Sequence, residues 1–469
     1  MSLVRELLLT HLVTILGFAF AMILVSRMLR DENRPSVSIA WMLAIFFVPY
    51  LGVPAYLLFG GRKLAKQVRR KGTLELALKK NWDSGHPYAE IEAVLTTGGM
   101  PPARGGNAIG FIGNGEEAYR ELCATLERAQ WSIHIEIFIF GRDEVGQSIV
   151  DLLARKAAQG VQVRVLLDAL GCFRSRGRFF DPLRTAGGKV GVFMPVLPLR
   201  RKWSANLRNH RKLIVIDGRE SIIGGMNIAR EYMGPHVDPA RWLDTAAVVH
   251  GPLAADMDAL FAIDWKFATG ETLDPVPAGV ASDQFAAGGA EAFSQLAVSG
   301  PDVEDDLLYD AILSAIHDAR ERVWIVTPYF IPDEGILKAL VLQARLGRDV
   351  RIVLPHTSNH FLTDVARGRF VRILASAGAR IFLYSGAMVH AKHVLVDHAV
   401  ATVGSLNFDI RSFYLNYEAA IFVYSRPDID RIAQWVSGLM DRSMEPRKLE
   451  VSPLREMAED LCVLISPLL

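Results

Sequence analysis

One short pattern constrains this chain more than any other, because it occurs twice. His210-Arg211-Lys212 runs into an apolar stretch over 213–216 and then into Asp217-Gly218. His390-Ala391-Lys392-His393 runs into Val394-Leu395-Val396 and then into Asp397. Both read H-x-K-x4-D. Each is followed by a small-residue turn that ends on asparagine, Gly224-Gly225-Met226-Asn227 and Gly404-Ser405-Leu406-Asn407. A single match is weak. Two matches with the same downstream turn mean that a unit larger than the motif is repeated.

The spacing carries chemistry. Alternate side chains of a strand share a face, so His210 and Lys212 point one way, as do His390 and Lys392. The apolar residues that follow read as a buried strand. An imidazole beside an ammonium suits an anionic group, with lysine supplying fixed charge and histidine a proton or a nucleophilic nitrogen. The candidate catalytic set is therefore His210, Lys212, Asp217, His390, Lys392 and Asp397. Within it, Asp217 has the wrong parity to share the face of His210 and, followed by Gly218, reads as the first residue of a hairpin turn. The two aspartates are expected to hold local structure rather than to touch substrate.

Around the motifs, helix and strand alternate. Helical periodicity over 116–130 and 149–158 interleaves with strands over 132–140 and 161–167. The same order, with helices over 306–320 and 336–346 and strands over 323–327 and 350–354, precedes the second motif. Such alternation predicts an α/β chain of two repeated lobes, each a mixed sheet flanked by helices. The expected division is an anchor over 1–62, a basic juxtamembrane linker over 63–110 and a first lobe over 111–270. An Ala/Gly/Pro-rich joint follows over 271–299, then a second lobe over 300–469 closed by an amphipathic helix.

The motifs resemble those of the phospholipase D superfamily, and their flanks are similar to those of bacterial cardiolipin synthases. The carriers are Asn206-Leu207-Arg208-Asn209 before His210, Thr327-Pro328-Tyr329-Phe330-Ile331-Pro332-Asp333, and Phe408-Asp409-Ile410-Arg411-Ser412 after Asn407. The resemblance extends to the closing Ser466-Pro467-Leu468-Leu469. It implies two lobes about a pseudo-twofold axis with both H-x-K strands facing one cleft. It also implies double displacement at phosphorus, with His210 as nucleophile and His390 as general acid and base, although near-symmetry permits the reverse. Lys212, Lys392, Asn227 and Asn407 would surround the phosphate, and Asp244 and Glu418 match acidic positions that orient the histidines. No metal or nucleotide cofactor is expected. The implied reaction joins two phosphatidylglycerols into cardiolipin and glycerol, with phosphatidylethanolamine or another alcohol left open as acceptor. The rivals are a hydrolytic phospholipase D and, further off, a membrane-tethered nuclease. With 52 Lys and Arg against 51 Asp and Glu, the formal charge of +1 gives no basic field that favours nucleic acid.

Two apolar runs, over 7–25 and 37–59, precede all of this. The first is long enough to span a bilayer and lacks the start and cleavage site of a signal peptide. Two spans joined by a short polar turn are expected, with Pro49 and Pro54 leaving the second either spanning or re-entrant. Arg62, Lys63, Lys66, Arg69, Arg70 and Lys71 outnumber Arg27, Arg30 and Arg34, which predicts both ends in the cytoplasm, and the resemblance implies that the membrane is the inner membrane of a bacterial cell. That cluster also suits anionic lipid headgroups, as does the loop Arg200-Arg201-Lys202-Trp203. His360 is a candidate for the acceptor pocket, whereas His134 and His393 read as packed histidines. The cysteines Cys123, Cys172 and Cys462 form no C-x-x-C pair and read as small buried hydrophobes.

Overall fold

The computed structural model describes residues 89–195, 207–277, 292–303, 306–446 and 450–465, with scattered positions before residue 89. The chain divides into two compact units, Met1–Arg70 and Lys71–Leu469, and the elements below all lie in the second. The two apolar runs of the N-terminus lie outside the described residues except for isolated positions. Among the described residues, no helix is long and apolar enough to cross a membrane.

The first half of this unit runs α1 (Ala89–Thr97), β1 (Arg104–Ile112), α2 (Gly115–Arg128), β2 (Ser132–Ile137), α3 (Glu144–Ala158), β3 (Gln162–Asp168), α4 (Asp181–Thr185), β4 (Lys189–Phe193), β5 (Leu213–Ile216), β6 (Glu220–Gly224), β7 (Ala246–His250) and α5 (Pro252–Thr269). The second runs β8 (Ala292–Ser299), α6 (Leu307–Asp318), β9 (Arg322–Val326), β10 (Phe330–Ile331), α7 (Glu334–Arg345), β11 (Asp349–Pro355), α8 (Phe361–Ser376), β12 (Arg380–Tyr384), β13 (His393–Val396), β14 (Val400–Gly404), β15 (Phe408–Asp409), α9 (Ile410–Tyr414), β16 (Glu418–Val423), α10 (Arg426–Asp441), β17 (Ser443–Met444) and α11 (Pro453–Ile465).

Fifteen of these strands form one mixed sheet whose halves repeat the same order. One half reads β1-β7-β6-β5-β2-β3-β4, the other β8-β16-β14-β13-β9-β11-β12 with β17 at its edge. In each, the inner strand (β2 or β9) pairs antiparallel with the motif strand (β5 or β13) and parallel with the next strand outward (β3 or β11). The halves join where β1 and β8 run antiparallel.

Local chemistry explains the elements. Asn114, Asp143 and Asp333 accept from the N–H groups of Glu117, Gly146 and Ile336, which would otherwise be orphaned at the starts of α2, α3 and α7. The Asp143 cap starts α3 five residues ahead of the periodicity that predicts it from Ile149. β1 and β8 fall in stretches expected to be linker and joint. Gly105, Gly106 and Gly110 dilute the alternation of β1, and Ala, Ser and Gln do the same in β8, so pairing rather than composition makes them strands. Helix α5 buries Leu260, Phe261 and Trp265, each contributing about 1.5–3 kcal/mol by leaving water. It stops at Gly270, whose φ of 86° suits glycine. The C-terminal helix α11 packs on α8, where Glu459 pairs with Arg372 at 2.6 Å and Asp460 with Arg369 at 2.7 Å.

The motif aspartates act as clamps. Asp217 and Asp397 adopt left-handed φ values of 52° and 51° at the turns after β5 and β13. Asp217 accepts from the N–H groups of Gln130, Trp131 and Ser132 at 2.7–2.9 Å. Asp397 does the same for Arg320, Glu321 and Arg322 at 2.8–2.9 Å. Each carboxylate thus ties its motif turn to the start of the neighbouring inner strand. Replacing Asp217 with Ala orphans those donors and strains the turn, so thermal denaturation is expected to show a loss of about 3 kcal/mol, with Asp217→Asn losing less. An unchanged melting temperature for Asp217→Ala contradicts the clamp.

Candidate active site

Two close approaches of backbone build the site. His210 N donates to Tyr417 O and Tyr417 N to Arg208 O, both at 2.9 Å. On the other side, Leu243 N donates to Met388 O at 2.8 Å and His390 N to Leu243 O at 2.7 Å. Each motif is thereby stitched to the segment just ahead of an acid in the opposite lobe. The turns before Asn227 and Asn407 need their glycines here: a Cβ on Gly224 or Gly404 would sit 2.4 Å from Thr245 O or Ala419 O.

The result is a crossed pair of imidazole–carboxylate contacts. His210 Nδ1 donates to Glu418, 2.9 and 3.0 Å from its two oxygens, and His390 Nδ1 donates to Asp244 Oδ2 at 2.6 Å. A carboxylate only accepts, so the Glu418 contact fixes the His210 proton on Nδ1 and leaves Nε2 as the reactive nitrogen; His390 Nδ1 lies equally close to Asp244 Oδ2 and Lys392 Nζ, both at 2.6 Å. Glu418 also accepts from Ser405 Oγ and, at 3.4 Å, from Asn416 Nδ2. Both histidines, Asn227 and Asn407 line a single cavity of about 210 Å³, with Phe138, Tyr232, Trp242, Tyr329 and His360 among its walls. The Phe138 ring meets His210 edge-on at 4.8 Å, and Tyr232 and Trp242 lie 5.1 and 5.3 Å from His390.

The lysines sit behind the histidines. Lys212 Nζ donates to His210 O at 2.9 Å, and Lys392 Nζ lies 2.6 Å from His390 Nδ1 and 3.9 Å from Asp244 Oδ2. The ammonium and the imidazole therefore compete for one carboxylate. Burial lowers both lysines, Lys212 to about 7 and Lys392 to about 8, against the attraction of Glu418 and Asp244. Burial also lowers His210, although Glu418 opposes it. It lowers His390 further, with the charges of Lys392 and Lys212 adding to the effect. Burial raises Asp244 to about 6, with Lys392 opposing. Burial thus disfavours the cationic form of all four basic side chains of the site.

The structure brings eight of the ten sequence candidates together. Asp217 and Asp397 stand apart as turn clamps and do not line the cavity. His360 lines the cavity, its ring 5.2 Å from that of Tyr329. His393 donates from Nδ1 to Thr402 O at 2.7 Å and accepts at Nε2 from Thr245 Oγ1 at 2.9 Å, while burial lowers it to about 4. His134 contacts Asp258 at 2.6 Å and stacks on Phe261 at 4.6 Å. The loop Arg200-Arg201-Lys202-Trp203 lies outside the described residues. Reading by motif overlooked Arg208 and Arg411 in the cavity wall. Arg208 shares the strand parity of His210, which is a usable signal; Arg411, beyond the second Asn turn, has none.

Beneath the first motif lies a buried charge cluster. Arg211, fully buried, pairs with Asp264 and donates to Glu418 O and Ser299 O, each at 3.2 Å. Lys71 bridges Asp264 and, at 2.8 Å, Asp302. Burial alone would raise Asp264, but Arg211 and Lys71 hold it below its ordinary value. Glu136, which accepts from Asn209, is raised by burial, with Asp264 adding to the effect.

Three regions match two known families. A model described as "Cardiolipin synthase, PLD-like domain" matches residues 122–265 and again 312–440, and one described as "Phospholipase_D-nuclease N-terminal" matches 18–61. The chain is 33% identical over 452 residues to cardiolipin synthase A of Pseudomonas entomophila (strain L48), covering 92% of both chains. It is 32% identical over 484 residues to cardiolipin synthase 1 of Bacillus anthracis, covering 97% of this chain and 92% of that one. The phosphatidylserine synthase structure from Haemophilus influenzae Rd KW20 shares the fold, with a TM-score of 0.61 at 15% identity over 82% of this chain and 98% of that one.

The depressed lysines allow a direct check. With Lys212→Gln and Lys392→Gln as assignments, NMR of 13C-methylated protein is expected to give midpoints near 7 and 8 rather than the ordinary 10.5, both rising on addition of tungstate. Because the folded values lie below the unfolded one, the unfolded chain binds more protons in between. The stability these groups contribute therefore rises with pH from about 7 to 10.5. Two midpoints above 10 would contradict the electrostatic account.

Proposed function

The chain belongs to the cardiolipin synthase family with PLD-like domains, and from that premise we propose that it makes cardiolipin by phosphatidyl transfer through a phosphohistidine. The observation that carries the reading is the pair of imidazoles lining one cavity, each with Nδ1 against a carboxylate from the other half of the sheet.

His210 Nε2 attacks the phosphorus of one phosphatidylglycerol. The bond from phosphorus to the glycerol headgroup breaks, and His390 gives the departing oxygen a proton. The phosphorylated imidazole is a cation, and Glu418, with both oxygens within 3.0 Å of Nδ1, is placed to stabilise it. That is the physical reason to assign attack to His210. His390 then takes the proton from the hydroxyl of a second phosphatidylglycerol, whose oxygen attacks phosphorus as the bond to nitrogen breaks. Cardiolipin leaves and His210 is restored. The diester's own charge, entering between low-pKa rings, raises them and keeps the proton on His390 for the first step. Lys212, Lys392, Asn227 and Asn407 offset charge on the equatorial oxygens.

The apolar runs over 7–25 and 37–59 hold these lobes at the bilayer as two spans, with the basic residues that follow on the cytoplasmic side. The family match over 18–61 supports an N-terminal segment of shared design.

The test is mass spectrometry of lipids after purified protein meets phosphatidylglycerol vesicles. Cardiolipin and free glycerol are expected from the wild type, reduced about a thousandfold in His210→Ala and His390→Ala. Phosphatidic acid as the main product would make the enzyme a hydrolase, and no lipid turnover would overturn the reading.

A further inference from the structure

The site is symmetric in the residues assigned to the transferred phosphate. His210 answers His390, Lys212 answers Lys392, Asn227 answers Asn407, and Glu418 answers Asp244. It is not symmetric in arginine. Arg208 stands two residues before His210, where the second motif has Met388, and Arg411 stands four after Asn407, where the first turn is followed by Glu231. Both arginines line the same cavity as the histidines.

Their surroundings are built. Arg208 is 3% exposed, lies 3.5 Å from Asp168 Oδ1 and donates to Met194 O at 3.3 Å. Asp168 is itself fixed by the N–H groups of Leu170, Gly171 and Asn209 at 2.8–3.0 Å. In the second half, Asp409 accepts from Ser412 N at 2.7 Å, and its charge favours the cationic form of Arg411 two residues on. The two side chains line one cavity, and there burial and the charge of Arg208 both act to lower Arg411.

We propose that Arg208 and Arg411 form a second anion subsite that holds the acceptor's own phosphodiester while its hydroxyl meets the phosphohistidine. The proposal rests on the phosphatidyl-transfer reading and adds to it the two residues that select an acceptor bearing a phosphodiester over water or a neutral alcohol. Paired planar guanidiniums suit the oxygens of a diester and have nothing to recognise in a neutral acceptor. A twofold arrangement serves one central phosphate; a second phosphate needs residues that break the symmetry.

The experiment gives wild-type protein, in mixed vesicles containing phosphatidylglycerol, a competing neutral acceptor (ethanol). The readout is the ratio of cardiolipin to phosphatidylethanol. Both products come from one phosphatidyl-enzyme, so the ratio is independent of how much protein is folded and of donor binding. Arg411→Gln and Arg208→Gln are expected to lower it at least tenfold, and Arg411→Lys by less. A parallel arm adds soluble glycerophosphoglycerol. If it suppresses phosphatidylethanol in wild type but not in Arg411→Gln, the diester alone is recognised; if cardiolipin formation depends on the arginines but the soluble diester has no effect, the subsite takes the diester only from a lipid. An unchanged ratio in both Gln variants overturns the proposal. Phosphatidylethanol without cardiolipin from wild type sinks the subsite and leaves the histidine chemistry standing. Neither product from wild type sinks both.

Discussion

The crossed contacts between His210 and Glu418 and between His390 and Asp244 are the constraint on which the rest of this structure depends. Each reactive ring belongs to one lobe and the carboxylate that orients it to the other, so neither lobe holds a prepared histidine alone. Glu418 lies 208 residues from His210 in sequence. The chain meets that demand by duplicating a mixed sheet and joining the copies edge to edge through β1 and β8, which sets the second strand of each half (β7 and β16) near the join. The two backbone bridges then place each acid one residue beyond its contact with the opposite motif.

The duplication has diverged beneath this symmetric surface. Where the first motif has Arg211, the second has Ala391. Arg211 reaches away from the cavity into a cluster with Asp264, Lys71 and Asp302, and also donates to Glu418 O. Such buried charges cost desolvation, and removing one partner typically costs about 3–5 kcal/mol, so their benefit lies in geometry more than in net stability. The geometry they hold is that of the strand bearing Glu418. The two imidazoles are correspondingly unlike: His210 is supported by a bidentate carboxylate, whereas His390 shares Asp244 with Lys392 and is lowered further. A nucleophile that must become a cation and an acid that must give up its proton call for that difference.

Much of the site was legible because its chemistry is local in sequence. Strand parity separated Asp217 from His210 and Lys212, and the left-handed turn at Asp217 supplies the physical reason. The acids Asp244 and Glu418 were legible as candidates by family resemblance, but the crossing of their partners was not, because it depends on contacts between lobes. β1 and β8 were hidden by glycine and small polar residues; their strand character comes from their neighbours. Arg411 carried no local signal, since only the folded cavity brings it to the same pocket as Arg208.

The most direct test of the account is to trap the covalent intermediate. A phosphatidyl p-nitrophenol ester needs no proton for its leaving group, so His390→Ala protein should release p-nitrophenol and then stall without a base to activate the acceptor. Intact-mass and peptide mass spectrometry are expected to find a phosphatidyl adduct on His210. An adduct on His390 in His210→Ala protein, or turnover of the ester with no adduct on His210, would contradict the assignment of the two rings.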